Sequence, residues 1–160
     1  MKRWIIVLAV LSIVMAGCVT SDFEYVNGPY EKIITISKTK DEAYSLTMQW
    51  IAQAFKSAKA VIQYADKDSG IIVGNGNGTA DFGGLVPGTV SFKITIDIKD
   101  YKERVTFSEV RPVFDNSSSG QLAASITPGL TGHAWPKFET WADDTIESLQ
   151  QFVATKSSDW

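Results

Sequence analysis

The chain has 160 residues, 44% of them hydrophobic and 21% charged, the balance of a protein that folds rather than of a disordered tail. Its formal charge is −3, and an acidic balance opposes a nucleic-acid partner, which needs clustered Lys and Arg to displace counterions from phosphates. A single cysteine and a single histidine exclude an internal disulfide and any metal site built from several residues of either type.

At the amino terminus Lys2 and Arg3 form a positive end, Trp4 to Val14 is apolar except for Ser12, and Ala16-Gly17 places small residues before Cys18. This is the three-part plan of a secretory signal. The apolar run falls short of the ~20 residues that a membrane-spanning helix needs. Met15-Ala16-Gly17-Cys18 resembles the lipobox of bacterial lipoproteins, with Met15 where leucine is usual. That resemblance implies removal of residues 1–17 and attachment of diacylglycerol, with palmitate-type chains, to the Cys18 thiol. Each buried methylene adds about 0.8 kcal/mol, so one chain holds marginally and several hold firmly. Val19, not aspartate, follows the cysteine, which by resemblance to Gram-negative sorting favours the outer membrane. Loss of Lys2 and Arg3 leaves 13 basic against 18 acidic residues, a net charge of −5. Residues 18–29, with Asn27-Gly28-Pro29, have the composition of a lipidated tether. Residues 30–160 are enough for one domain.

From Tyr30 to Ser37 the β-branched run Ile33-Ile34-Thr35-Ile36 predicts a strand. Thr39-Lys-Asp-Glu42 is a capping box, and Tyr44, Met48, Ile51 and Phe55 follow at helical spacing, predicting a helix over Lys40–Phe55. Ala60 to Asp66 predicts a strand, Lys67 to Gly70 a turn and Ile71 to Val73 the return strand of a hairpin, ahead of a glycine-rich stretch. Val90, Phe92, Ile94, Ile96 and Ile98 alternate strictly with Ser91, Lys93, Thr95, Asp97 and Lys99, the clearest strand of the chain. A further strand runs from Arg104 to Val113, with Pro112 at its end or on an edge. Phe114 to His133 is rich in Ser, Gly and Thr and has no period, as in a long loop. A last helix starts near Pro136, with Phe138, Trp141, Ala142, Leu149 and Phe152 on one side. The order β-α-β-β-β-β-α predicts an α+β fold: a mostly antiparallel sheet with both helices on its apolar face.

Trp50, Phe55, Val61-Ile62-Gln63-Tyr64, Asp66-Lys67-Asp68, Gly70, Gly74 and Gly76, followed by Phe92, Ile94, Ile96, Lys99-Asp100, Arg104, Thr106 and Phe107, carry a further resemblance. Over roughly Ile33 to Val153 the chain resembles an uncharacterised bacterial domain family described as having a fold like that of the TATA-box-binding protein (TBP). The resemblance implies a TBP-like fold and an envelope setting, and no activity or catalytic residue. A shared fold does not transfer DNA binding.

Gly74-Asn-Gly-Asn-Gly78 lacks the Lys-Ser/Thr of a phosphate-binding loop; glycines at alternate positions instead bare one face of a strand for a helix or an indole ring, Trp50 or Trp141. Asp66 to Gly70 begins like a calcium loop but has Ile71 at the sixth position and Asn77 at the twelfth, so it is a hairpin turn. Asp143 and Asp144 are neighbours on a helix and point about 100° apart, as on a solvated face. Lone His133 would have to serve any Ser-His-carboxylate triad, and no serine stands in a Gly-x-Ser-x-Gly elbow. No cofactor and no metal is expected.

What remains is contact. The polar sheet face, with Lys93, Thr95, Lys99 and Arg104 among its residues, is a candidate partner-binding surface, the competing reading being a face that meets only water. Trp135, beside the long loop, is a second candidate contact point. The expectation is an envelope lipoprotein that is not an enzyme: a binding or scaffolding module, held to the membrane through its lipid anchor and meeting an envelope protein, with no nucleic acid. The alternative is a periplasmic carrier of a small apolar ligand, and a more remote one is a hydrolase.

Overall fold

The computed structural model describes residues 28–55, 61–81, 88–114, 130 and 134–156. The signal, Cys18, most of the tether, His133 and nearly all of the loop after Phe114 lie outside the described residues. In chain order the elements are β1 (Tyr30–Thr35), α1 (Lys40–Ala54), β2 (Val61–Asp66), β3 (Ile71–Thr79), β4 (Thr89–Lys99), β5 (Lys102–Pro112) and α2 (Ala134–Thr155). The strands form one sheet in the order β1-β5-β4-β3-β2, every neighbouring pair antiparallel. This is the α+β arrangement that the element order predicts.

The alternation in β4 decides the layers. Val90, Phe92, Ile94, Ile96 and Ile98 are all buried, and Ile72, Val105 and Phe107 join them on the same face. Both helices close over that face, α1 with Ala43, Leu46, Trp50 and Ile51, and α2 with Phe138, Ala142, Ile146, Leu149 and Val153. Phe107 stands at the centre, its ring 5.1 Å from Phe92, 5.9 Å from Phe138 and 5.8 Å from Trp141. The Trp50 indole N–H donates to Ser148 Oγ at 2.9 Å, tying the helices together.

Local chemistry sets the element ends. The Glu42 carboxylate accepts from the Thr39 N–H at 3.1 Å, as the capping box predicts, and also from the Thr39 hydroxyl at 3.0 Å, and these bonds hold its pKa below the usual carboxylate value. The next free amide, that of Lys40, donates to Asp100 Oδ1 at 2.8 Å, docking the helix start on the β4–β5 turn. Asp66 Oδ1 accepts from the Asp68 N–H at 2.9 Å, and Gly70 takes a φ of +72°, so Asp66–Gly70 is the hairpin turn expected. Pro112 ends β5 where that strand has outrun β1, which pairs only with Lys102 to Phe107, so its missing N–H disturbs no bond to β1.

Two boundaries differ from the sequence reading. α1 stops at Ala54 and Phe55 is its cap residue. β3 continues six residues past Val73, its pairing with β4 running from Ile71↔Asp97 to Thr79↔Thr89. Glycines show no hydrophobic alternation, so the second half of β3 is silent as a pattern; the burial there is supplied by rings from elsewhere. A Cβ on Gly76 would lie 2.7 Å from the Phe92 ring, and one on Gly78 would lie 2.5 Å from the Trp141 ring.

Candidate functional site

The outer sheet face is built by the same alternation that builds the core. Lys93, Thr95, Asp97 and Lys99 project from β4, and Arg104, Thr106 and Ser108 from β5, opposite in direction to the buried residues between them. β3 adds Asn75 and Asn77. Arg104 is the most engaged of these cations. Its guanidinium donates to Asp97 Oδ2 from Nε at 3.1 Å and from Nη2 at 2.9 Å, and lies 3.9 Å from Glu31. Lys93 lies 3.6 Å from Glu109, which takes a φ of +53° where the β4–β5 register shifts between Ser91 and Lys93. This is a bulge, and it sets a carboxylate on the outer face where strict alternation places none.

Four of the five predicted contact residues therefore share one surface: Lys93, Thr95, Lys99 and Arg104. Trp135 does not join them. It is half-buried in the first turn of α2, its ring 5.3 Å from Phe138 and its N–H bonded to Glu139 at 2.8 Å, in the helical layer on the other side of the sheet. Two hollows on the outer face are bordered by the described residues. One, of about 460 Å³, is open and lined by Gln63, Asn75, Asn77, Ser91, Lys93 and Glu109 among others. A smaller one, of about 150 Å³, is bounded by Ile33, Asp97, Lys99, Lys102 and Arg104.

On the helical side a cleft of about 460 Å³ opens between the end of α1 and α2, with Trp50, Phe55 and Trp141 beside Asp144 and Ser148. Deeper in, the gap between Ile51, Phe55, Ile72 and Ile94 measures about 10 Å³, room for one water at most. Asp143 and Asp144 part company here. Asp144 borders the cleft, whereas Asp143 accepts from the Tyr30 hydroxyl at 2.7 Å and from the Lys32 ammonium, clasping β1 to α2. Lys32, and after it Tyr30, hold the Asp143 carboxyl below its usual pKa, while burial and then the Asp143 bond push Tyr30 up to about 12. A purely solvated helix face describes Asp144 and not Asp143.

Sequence reasoning missed Glu103. It sits on the inner face of β5, fully buried, opposite Ile98 of β4 and Ile34 of β1. Its Oε1 accepts from the Thr47 hydroxyl of α1 at 2.8 Å, and its Oε2 has no partner among the described residues. Burial pushes its pKa up to about 7, the Thr47 bond opposing the shift. A signal existed: Glu103, Val105 and Phe107 alternate, so the parity of β5 points Glu103 inward.

A five-stranded antiparallel sheet, sealed by two helices on one side and polar on the other, defines an α+β protein of the TBP-like class. Within that class the chain belongs to the family described as a domain of unknown function (DUF4468) with TBP-like fold, whose pattern matches residues 30–112. That match covers the whole sheet and α1 and ends before α2. A DUF4468 family protein from Bacteroides ovatus is similar in structure with a TM-score of 0.60 and 16% identity, over 82% of this chain and 89% of that one. A TBP-like protein from Parabacteroides distasonis is similar with a TM-score of 0.52 and 11% identity, over 76% of this chain and 92% of that one. At such identities the likeness establishes the fold. No curated protein matches the chain.

Proposed function

We propose that the chain is a lipid-anchored component of the bacterial cell envelope that works by non-covalent binding, with the outer face of its sheet as the surface that meets a second envelope protein. The observation that supports this reading best is the asymmetry of the sheet. Its inner face is taken up by packing: the gap left under α1 is about 10 Å³, and the cleft beside Trp50, Phe55 and Trp141 lies open at the surface, which speaks against a small apolar ligand enclosed in the core. Its outer face presents amides, hydroxyls and paired charges around an open hollow of about 460 Å³, with no helix over it among the described residues. Such a face suits recognition by hydrogen bonds and charge. The anchor rests on Met15-Ala16-Gly17-Cys18 and on the apolar run before it, and Val19 favours delivery to the outer membrane.

Two variants test the two halves separately. Cys18→Ser is expected to abolish incorporation of labelled palmitate and to move the protein out of the membrane fraction; unchanged labelling and fractionation reject the anchor. Reversing charge with Lys93→Glu and Arg104→Glu, in the anchored protein, is expected to remove a specific partner found by crosslinking in intact cells. A crosslinking pattern identical in parent and variant rejects the outer face as the contact surface.

A further inference from the structure

Two cations on the outer face stand apart from the rest. Lys93 and Arg104 each have a carboxylate, but Lys99 and Lys102 have no ion-pair partner among the described residues. These two lysines are also direct cross-strand partners, Lys99↔Lys102, the closing pair of the β4–β5 hairpin. Like charges placed opposite each other on neighbouring strands repel. Of the nearby acids, Asp97 is committed to the Arg104 guanidinium and Asp100 to the Lys40 amide at the start of α1, while the Glu103 carboxyl is buried on the opposite, inner face. The unneutralised pair opens onto the hollow of about 150 Å³, whose other lining residues are Ile33, Glu103, Arg104 and the Asp97 carboxylate that Arg104 neutralises.

We infer that this hollow binds a phosphate group between the two lysine ammoniums, with the Arg104 fork on its flank. Lysines act on phosphate as mobile point charges and arginine as a planar donor, and a phosphate oxygen can accept from all three. Binding would relieve the repulsion that the empty pair carries. The surroundings favour a phosphate with an apolar attachment, that is, a phospholipid headgroup. Ile33 in the wall is 64% exposed and Tyr101, in the turn that joins the lysines, is 60% exposed. Exposed aromatic and lysine side chains together are the pattern of a membrane–water boundary. The headgroup source rests on the envelope reading above, and the phosphate chemistry does not.

The test takes the full chain, purified from membranes in a non-ionic detergent, and titrates it with inorganic phosphate while lysine side-chain resonances are followed by NMR. Saturable shifts at Lys99 and Lys102, absent at Lys93, are expected. Each single variant, Lys99→Gln or Lys102→Gln, should weaken phosphate affinity read at the remaining lysine roughly tenfold or more, since one charge-assisted hydrogen bond is lost. A second arm compares amide exchange in the Lys99–Lys102 turn after reconstitution into phosphatidylcholine vesicles with and without phosphatidylglycerol. Protection only with the anionic lipid assigns the headgroup; phosphate shifts without such protection assign a soluble phosphate. Equal shifts at all lysines, or a response in neither arm, overturn the inference. An intact mass lacking acyl chains would refute the anchor and leave the phosphate titration interpretable, so the two readings fail separately.

Discussion

Glu103 and Arg104 are consecutive residues of one strand, and they show what the two faces of this sheet do to a charge. Glu103 turns inward, is fully buried, and has one hydrogen bond for two oxygens. Arg104 turns outward, is half exposed, and reaches two carboxylates. A one-residue step in β5 thus moves a group from a medium where charge is costly to one where water compensates it. The inner face is specified by packing and punishes any change, while the outer face is specified by little more than polarity and is free to be used for contact.

The largest effect should come from the middle of the inner face. Phe107→Ala removes the ring that meets Phe92, Phe138 and Trp141 at once, and these neighbours, held by both helices and the sheet, cannot collapse into the space. A loss of about 3–5 kcal/mol in unfolding free energy is expected, read from urea denaturation. A loss under about 1 kcal/mol, far below the range for emptied aromatic sites, would break the premise that this face is rigidly packed.

Next in size is the buried carboxyl. The folded-state pKa of Glu103 is raised to about 7 from 4.5, so folding holds its proton more tightly than the unfolded chain does. The stability it contributes is fully present below about pH 4.5 and is lost as the pH rises through about 7. Between pH 5 and pH 8 the protein should lose about 2–3 kcal/mol from this group. Glu103→Gln keeps an acceptor for Thr47 and cannot ionise, so its stability should stay flat over that range and exceed that of the parent at pH 8. Denaturation midpoints of both proteins at the two pH values decide it; parallel pH profiles would mean that Glu103 is solvated when ionised.

What the sequence made legible follows the same division. Alternation in β4 announced both faces, and the capping box and helical spacing placed α1 almost to the residue, because side-chain identity there is the cause of the structure. The second half of β3 is not announced by alternation because Gly76 and Gly78 are covered by Phe92 and Trp141, residues distant in sequence. Asp143 looked like half of a solvated pair because its partners, Tyr30 and Lys32, lie on a strand more than a hundred residues away. On the outer face the residue types were read correctly as a surface. Which charges are neutralised there depends on cross-strand register, and so the unpaired Lys99–Lys102 couple and the bulge that brings Glu109 to Lys93 emerged only from the fold.

The smallest effect is expected at Arg104, one residue from one of the largest. Arg104→Gln removes the charge that Asp97 and Glu31 face, yet both carboxylates reach water and can be hydrated in its place. An exposed ion pair gains little, because solvent screens the attraction and fixing two long side chains costs entropy. The variant should therefore unfold at nearly the parent's urea midpoint. Any remaining difference should vanish in concentrated salt, where the screening length falls to about 3 Å at 1 M. Destabilisation as large as the pH-dependent loss at Glu103, and insensitive to salt, would mean that this face is shielded from water, and the contrast between the two neighbours would then lose its physical basis.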